Sequence, residues 1–439
     1  MVASESNPSM ATPGDLDGRV SGKRQHQPEG RATVPGFPFF APRRARRSMS
    51  LTPAIAAAAL IALSACGPVA SPSATNDRGP SASAVARSPQ ASSAKMPLIL
   101  FTRTLTGDDL QTFTIGIDGS QETELTDVHD CCGSWSPDGT VISVPDKLAS
   151  SRLVPATVNV DGTGYAVHDI GLPTVNLAPV GWSPDGEKFL FEGWDDTDPS
   201  RTGVYVSEGF DLAEAAPVRI TTAVEHDIAL EWSPDGARLL LIQVTRCSED
   251  CERGNLYVVD SDGSDLIPLN PEGTFVSCCS PASWSPDGSQ VTFGAISLDA
   301  AGAPDFTRSA VYVAEADGSR VEAITEPGAF TEAARWSPDG DWIVFNRKSG
   351  PVGVKGSDLY LVHPDGSGLH AITTAGAAGE SDQFGAVWSP DGASLLFTVV
   401  PGGAVKRGDL WIVDLDGTDL AQLTDSPAQY WGYSWQPRN

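Results

Sequence analysis

The chain has 439 residues, 40% of them hydrophobic and 19% charged, with 44 Gly, 34 Pro and a formal net charge of −27. So acidic a surface argues against nucleic acid and anionic lipid as partners, since both need basic groups to replace their counterions. The Gly and Pro content suits turn-rich all-β structure, and a single repeat domain can absorb most of this length.

Residues 1–42 are polar and dotted with Pro and Gly, and are read as disordered or as a misassigned translation start. Arg43, Arg44, Arg46 and Arg47 then precede an apolar run from Leu51 to Leu63. A basic stretch, an apolar run too short to span a bilayer comfortably and a small-residue cleavage site make a secretory signal over 43–65. Leu63-Ser64-Ala65-Cys66 resembles the lipobox of bacterial lipoproteins, which implies cleavage before Cys66 and a diacylglycerol on its thiol. Residues 66–96 are rich in Ser, Ala and Pro and read as a flexible tether reaching roughly 30 Å.

From residue 97 onward one pattern recurs. Trp-Ser-Pro-Asp-Gly begins at Trp135, Trp182, Trp232, Trp284, Trp336 and Trp388, and a worn copy begins at Trp435. The steps between these tryptophans are 47, 50, 52, 52, 52 and 47 residues. Ser-Pro-Asp-Gly fits a tight turn: Pro presets φ, Asp tolerates the third position and Gly supplies positive φ. Strand A ends in the Trp. Strand B follows the turn, as in Arg238-Leu239-Leu240-Leu241-Ile242, and strand C comes next, as in Leu256-Tyr257-Val258-Val259. An Asp-Gly turn, as at Asp262-Gly263, leads to a short strand D ending in Leu/Ile-Thr, as at Ile324-Thr325. A period near fifty with four strands each predicts a β-propeller over 97–439. The seven tryptophans are read as blade-packing residues.

Six complete units account for the chain from Trp135 to about residue 425. The leftovers are B, C and D strands near 98–101, 113–115 and 124–126, and an A strand ending at Trp435. Together they make a seventh blade, closed by pairing the C-terminal strand with the N-terminal one, which removes exposed edges. The A–B and C–D turns then share one uniform face. The B–C loops and D-to-A crossovers share the other, and function concentrates on irregular loops of this kind.

That second face carries the binding candidates. Asp195 and Asp196 lie on the B–C loop of the second blade; Lys348, Lys406 and Arg407 lie on those of the fifth and sixth. His129, Asp130, Glu225, His226, Asp227, Glu380 and Asp382 lie on crossovers. Acidic and basic loops across the ring from each other would orient a partner of reverse charge. Beyond Cys66 there are Cys131, Cys132, Cys247, Cys251, Cys278 and Cys279, all on this face. An even count in an exported chain favours disulfides. Cys247–Cys251 with two vicinal pairs is one arrangement; Cys247 or Cys251 joined to Cys278 or Cys279 is another. The spacing is not that of a four-Cys zinc site.

No Gly-x-Ser-x-Gly elbow, phosphate-binding Gly loop or His-Glu-x-x-His occurs. No catalytic residue, metal or cofactor is assigned. The Asp260-x-Asp262-Gly263 and Asp414-x-Asp416-Gly417 turns lack the downstream ligands of a calcium loop. The repeated Trp-Ser-Pro-Asp-Gly, with its partner Asp-Gly turn, resembles the WD-like propeller repeat of the TolB family over residues 98–437. That resemblance implies periplasmic or surface propellers that mostly bind proteins, with peptidase propellers and polysaccharide lyases among the relatives. This chain departs from TolB in counting seven units and in lacking room over 67–96 for an α/β domain. The reading is a monomeric, lipid-anchored extracytoplasmic scaffold that binds a protein or glycan and touches the membrane only through its anchor. The alternatives are a metal-assisted glycan lyase or hydrolase at the channel mouth, or a carbohydrate or ligand sensor without turnover.

Overall fold

The computed structural model describes residues 96–104, 110–126, 132–210, 216–221, 226–248, 251–277, 281–348, 356–402, 407–425 and 428–438. The segments read as signal and tether, with Cys66, lie outside them. What is described is a seven-bladed β-propeller of antiparallel sheets, with one 3-10 turn at Pro199–Arg201. The first six blades begin with A strands ending at Trp135, Trp182, Trp232, Trp284, Trp336 and Trp388. In the seventh, Gln429–Trp435 pairs antiparallel with Leu98–Thr104, which is followed by Leu110–Gly116 and Thr123–Thr126. The anticipated one-plus-three closure is therefore present.

The register repeats. Each Trp lies opposite the first or second residue of its B strand: Ile142, Phe189, Leu239, Val291, Ile343 and Leu395, and in the closing blade Ile99. Successive A strands touch one another, as Asn176–Trp182 touches His226–Trp232, so the A strands surround the axis. The D strands lie outermost; those at Ala166–Val167, His370–Ala371 and Ala421–Gln422 are exposed along their length.

The middles of the B and C strands are covered on both faces by neighbouring blades, so runs of apolar residues stand there instead of strict alternation. Leu239, Leu240, Leu241 and Ile242 are all at most 1% exposed. Two residues past the Trp partner stands a Phe in five blades: Phe101, Phe191, Phe293, Phe345 and Phe397, each fully buried. Burying each contributes about 2–3 kcal/mol. The core is interleaved between blades. One cluster joins Ile99, Phe101 and Phe113 of the closing blade to Leu396, Leu410 and Ile412 of the sixth.

The indoles tie the ring together. Trp232 Nε1 donates to the Gly181 carbonyl, Trp388 Nε1 to Arg335 and Trp435 Nε1 to Val387, at 3.2–3.3 Å, in each case to the residue before the preceding blade's Trp. Trp135 does the same to Ser434 at 3.5 Å. The indole nitrogens of Trp182, Trp284 and Trp336 are buried with no partner among the described residues.

Three local features differ from the sequence reading. The D strands of the fourth, fifth and sixth blades stop before the Leu/Ile-Thr pair, and the Thr side chain takes over the ladder: Val311, Leu359 and Leu410 donate their N–H groups to Thr325, Thr373 and Thr424 Oγ1 at 2.9–3.0 Å. The A strands of blades two, three, five, six and seven bulge just before the Trp. The fourth sheet has an extra strand, Thr274–Phe275, which pairs with its B strand Gln290–Leu298.

Candidate binding face

The two faces differ as the turn chemistry dictates. On the uniform face, the Ser of each intact Trp-Ser-Pro-Asp-Gly donates its hydroxyl to the Asp carboxylate, as Ser136 Oγ does to Asp138 at 2.6 Å and Ser233 Oγ to Asp235 at 2.5 Å. The backbone N–H two residues past the Asp donates to the same oxygen, as Thr140 does at 3.0 Å. These bonds hold Asp138, Asp185, Asp235, Asp287 and Asp339 below the usual carboxylate range. At Asp391 the bonds outweigh its partial burial to the same end. The C–D turns repeat the device at Asp262, Asp317, Asp365 and Asp416. The uniform face is thus two concentric rings of ionised carboxylates whose shape is fixed by the turns they hold.

The irregular face is uneven. The B–C hairpin of the third blade extends through Arg238–Ser248 and Cys251–Asp260, and that of the fourth through Gln290–Leu298 and Pro304–Glu315. The hairpins of the fifth and sixth blades begin with shorter B strands, Ile343–Lys348 and Ser394–Pro401. The segment through Thr274–Phe275 ties the two long hairpins together, pairing with Ser297 and Ile296 on one side and, through Val276, with Gly254 on the other. Arg253 Nη2 donates to the Gly302 carbonyl at 2.6 Å, joining the hairpin tips. Phe275, Ile296 and Phe330, with Leu298 and Phe306 against them, give this raised platform its own small core. It stands over one side of the ring.

The sequence-predicted residues scatter over this face. Asp196 and Arg407 are exposed, and so is Glu380. Asp195 is 3% exposed and organises its own loop. It accepts from Thr174 Oγ1 at 2.5 Å, from the Thr197 N–H and hydroxyl, and from Arg201 Nη1 at 3.0 Å. Asp382 is half-buried and accepts from the Ser357 N–H at 3.0 Å. Lys348 is half-buried, its Nζ 5.8 Å from the centre of the Phe330 ring. Asp227 is 2% exposed, on the A strand His226–Trp232. Cys132 is buried with φ of 81°, and Cys247 and Cys251 fall on the paired strands of the third-blade hairpin, where Ser248 lies opposite Cys251. His129, Asp130, Cys131, Glu225, Cys278, Cys279 and Lys406 lie outside the described residues.

The sequence reading missed carboxyls drawn into the blade junctions. Glu192 Oε1 accepts from the Ala229 N–H at 3.0 Å and Glu231 Oε1 from the Trp284 N–H at 2.7 Å. Burial pushes Glu192 and Glu231 up, the neighbouring Asp227 charge adding to it at Glu192 while the Arg335 charge opposes it at Glu231. A polar residue inside an otherwise apolar strand, as Glu192 is in Phe189–Trp194, was the available signal. Among the described residues no group of three or more His, Cys, Asp and Glu side chains gathers to hold a metal, and no helix is long and apolar enough to cross a membrane.

No protein-family model matches the chain. The uncharacterized protein Atu1656 of Agrobacterium fabrum is 27% identical over 221 residues, covering 48% of this chain and 68% of its own. Among solved structures, TolB from Acinetobacter baumannii is similar at 17% identity, over 78% of this chain and 67% of its own, with a TM-score of 0.46. The β-propeller domain of the Trilobed protease from Pyrococcus furiosus is similar at 11% identity, over 76% of this chain and 98% of its own, with a TM-score of 0.49.

Proposed function

We propose that this seven-bladed propeller is an exported, lipid-anchored scaffold that binds a protein partner through its irregular face. The observation that carries the reading is the raised platform. Two long hairpins, a bridging strand and a private aromatic core make a stiff, one-sided relief on an otherwise regular ring. Rigid relief lowers the ordering cost of association. Export and anchoring rest on the Arg-rich segment, the apolar run and Cys66; the tether from 66 to 96 leaves the ring near the membrane and free to turn. Asp196 on the second blade and Lys348, Lys406 and Arg407 on the fifth and sixth set the docking direction for a partner of opposite split. Disulfides among the cysteines of this face would stiffen the hairpin tip at Cys247 and Cys251.

Photo-crosslinking in the producing cells tests the reading. A crosslinkable residue is placed at exposed Thr307 on the platform or at exposed Ser319 on the uniform face. The expectation is a discrete adduct from Thr307 that weakens when Lys348 and Arg407 are neutralised, and none from Ser319. Adducts of equal yield from both faces, or none from either, sink the proposal. Metabolic labelling with a clickable fatty acid, lost in Cys66→Ser, checks the anchor separately, and non-reducing peptide mapping assigns the cysteine pairs.

A further inference from the structure

In the third and fourth blades the residue just before the A-strand Trp reaches along the ring to the next blade. Glu231 Oε1 accepts from the Trp284 N–H at 2.7 Å and Ser283 Oγ from the Trp336 N–H at 3.3 Å. Five of the seven residues at this position are Ser, Gly or Val; the charged ones are Glu231 in the third blade and Arg335 in the fifth. Arginine has only donors, so Arg335 cannot take the Trp388 N–H as Glu231 and Ser283 take theirs. Its backbone carbonyl is held by Trp388 Nε1 at 3.2 Å, but its guanidinium makes no ion pair or hydrogen bond with any described residue. Arg201, Arg238 and Arg253, half-buried as Arg335 is, bond instead to Asp195 and to the Gly288 and Gly302 carbonyls.

Arg335 faces the axial channel. Its charge acts on Glu231 of the third blade and on Tyr433 of the seventh, although the fourth and sixth blades stand between, and the A strands that carry all three surround the axis. Burial pushes Glu231 up and Tyr433 up to about 12, the Arg335 charge opposing both. Yet all three side chains belong to residues that keep solvent-accessible surface. Groups enclosed by the ring and still wetted line its lumen. The Tyr433 hydroxyl is engaged there, donating to the Phe384 carbonyl at 3.1 Å and accepting from Thr398 Oγ1 at 3.2 Å. Glu231 is only half engaged: its second carboxylate oxygen has no hydrogen-bond partner among the described residues. We propose that the axial channel binds a small zwitterion, a free amino acid or short peptide, with its carboxylate on Arg335 and its ammonium on Glu231. The guanidinium fork matches a carboxylate with two parallel bonds. Phosphate fits the fork as well, but Glu231 repels a dianion, whereas a ligand with its own ammonium turns that carboxylate into a second contact. The site lies inside the ring and stands independently of the partner-binding role proposed above.

Isothermal titration of the full chain with glycine, diglycine and triglycine reads the site, because the three set ammonium and carboxylate progressively further apart. Acetate and inorganic phosphate serve as anions without an ammonium. The expectation is that one of the three zwitterions binds at least about tenfold more tightly than acetate or phosphate, the contact with Glu231 supplying the difference. Arg335→Gln should fold, because the guanidinium makes no bond within the described chain, and should lose at least about tenfold in affinity for that zwitterion. Glu231→Gln keeps an acceptor for the Trp284 N–H and should bring the zwitterion down to the affinity of acetate. If Arg335→Gln does not fold, Arg335→Lys serves: it keeps the charge, loses the fork and should bind several-fold more weakly. A parent chain that binds none of the three overturns the proposal. So does binding that survives loss of the Arg335 guanidinium, since the ligand then sits elsewhere. Acetate or phosphate bound as tightly as the best zwitterion also overturns it, since Glu231 then contributes nothing.

Discussion

The backbone N–H of Leu98 donates to Gln436 Oε1, 3.3 Å away across 338 residues of chain. In the six intact turns the Ser after the Trp accepts the same bond from the backbone five residues on, at 2.8–3.0 Å. Gln436 stands where that Ser would, and its N–H donates to the Leu98 carbonyl at 2.8 Å as each Ser does to its own partner. The closing blade is thus an ordinary A–B hairpin with the turn cut out, and the longer side chain replaces the lost covalent link. Its amide also donates to the Gly139 carbonyl at 2.7 Å, reaching the first blade.

Gln436→Ala should therefore cost about 1–2 kcal/mol, because it leaves the Leu98 donor and the Gly139 acceptor without their partner. Removing residues 429–439 should do far more, since it bares the Leu98–Thr104 edge and opens the core shared with the sixth blade. Urea unfolding followed by tryptophan fluorescence measures both. A truncated chain with the parent's midpoint would mean the ring does not depend on its closure.

Three residues before the Trp, the chain turns left-handed in four blades: Cys132, Ala333, Gly385 and Gly432 have φ of 81°, 58°, 72° and 39°. A Cβ on Gly385 would lie 2.3 Å from the Tyr433 hydroxyl, and one on Gly432 would lie 2.9 Å from Cys132 Sγ. Gly385→Ala and Gly432→Ala should each destabilise by about 2 kcal/mol or more, through clash added to a disfavoured φ. Ala333→Gly should stay within about 1 kcal/mol of the parent, since relief of the left-handed backbone offsets the lost methyl. Denaturant midpoints of the three variants decide it: equal losses at all three would show that φ is not what governs this position.

The ring was legible in the sequence because its signals are local. Trp-Ser-Pro-Asp-Gly determines a turn within five residues, and repetition then sets the blade count and places Trp435 beside Ile99. The platform was not legible because it depends on pairing between distant segments: nothing local in Thr274–Phe275 says that it will pair with Ser297 and Ile296. The bulges escaped for a related reason. Ala333 has no turn signature and is driven left-handed by the blades around it. Asp195 read as surface charge because its neighbours Asp196 and Asp198 are polar; the Thr174 hydroxyl that buries its purpose comes from the preceding crossover, 21 residues upstream.

Burial alone would raise the Asp195 carboxyl, but the Thr174 and Thr197 hydroxyls and the N–H groups of Thr197 and Asp198 outweigh it and bring it down to about 2. A carboxylate depressed on folding contributes stability that is complete above the unfolded value near 4 and disappears as pH falls through the folded value. Asp195→Asn should therefore cost stability at pH 7 and progressively less between about pH 4 and 2, where the parent loses the same contribution. Paired melts of parent and variant across that window test it; a difference independent of pH would assign the role of Asp195 to shape and not to charge.

The indoles offer a matched comparison. Trp232 and Trp284 are both buried, but only Trp232 donates its Nε1–H, to the Gly181 carbonyl at 3.2 Å; the Trp284 nitrogen is buried without a partner among the described residues. Replacing either by Phe removes similar volume, so the lost packing largely cancels between the two variants. What remains is a carbonyl deprived of its donor at Gly181, against a buried orphan donor removed at position 284. Trp232→Phe should therefore be the more destabilising by about 1–3 kcal/mol. The margin narrows by what Trp284→Phe loses beneath the Arg238 guanidinium, which lies 5.1 Å from the indole centre. Urea midpoints at matched protein concentration give the difference, and a Trp284→Phe chain weaker than Trp232→Phe would show that this cation contact, and not the indole hydrogen bond, decides how much each blade's Trp holds the ring together.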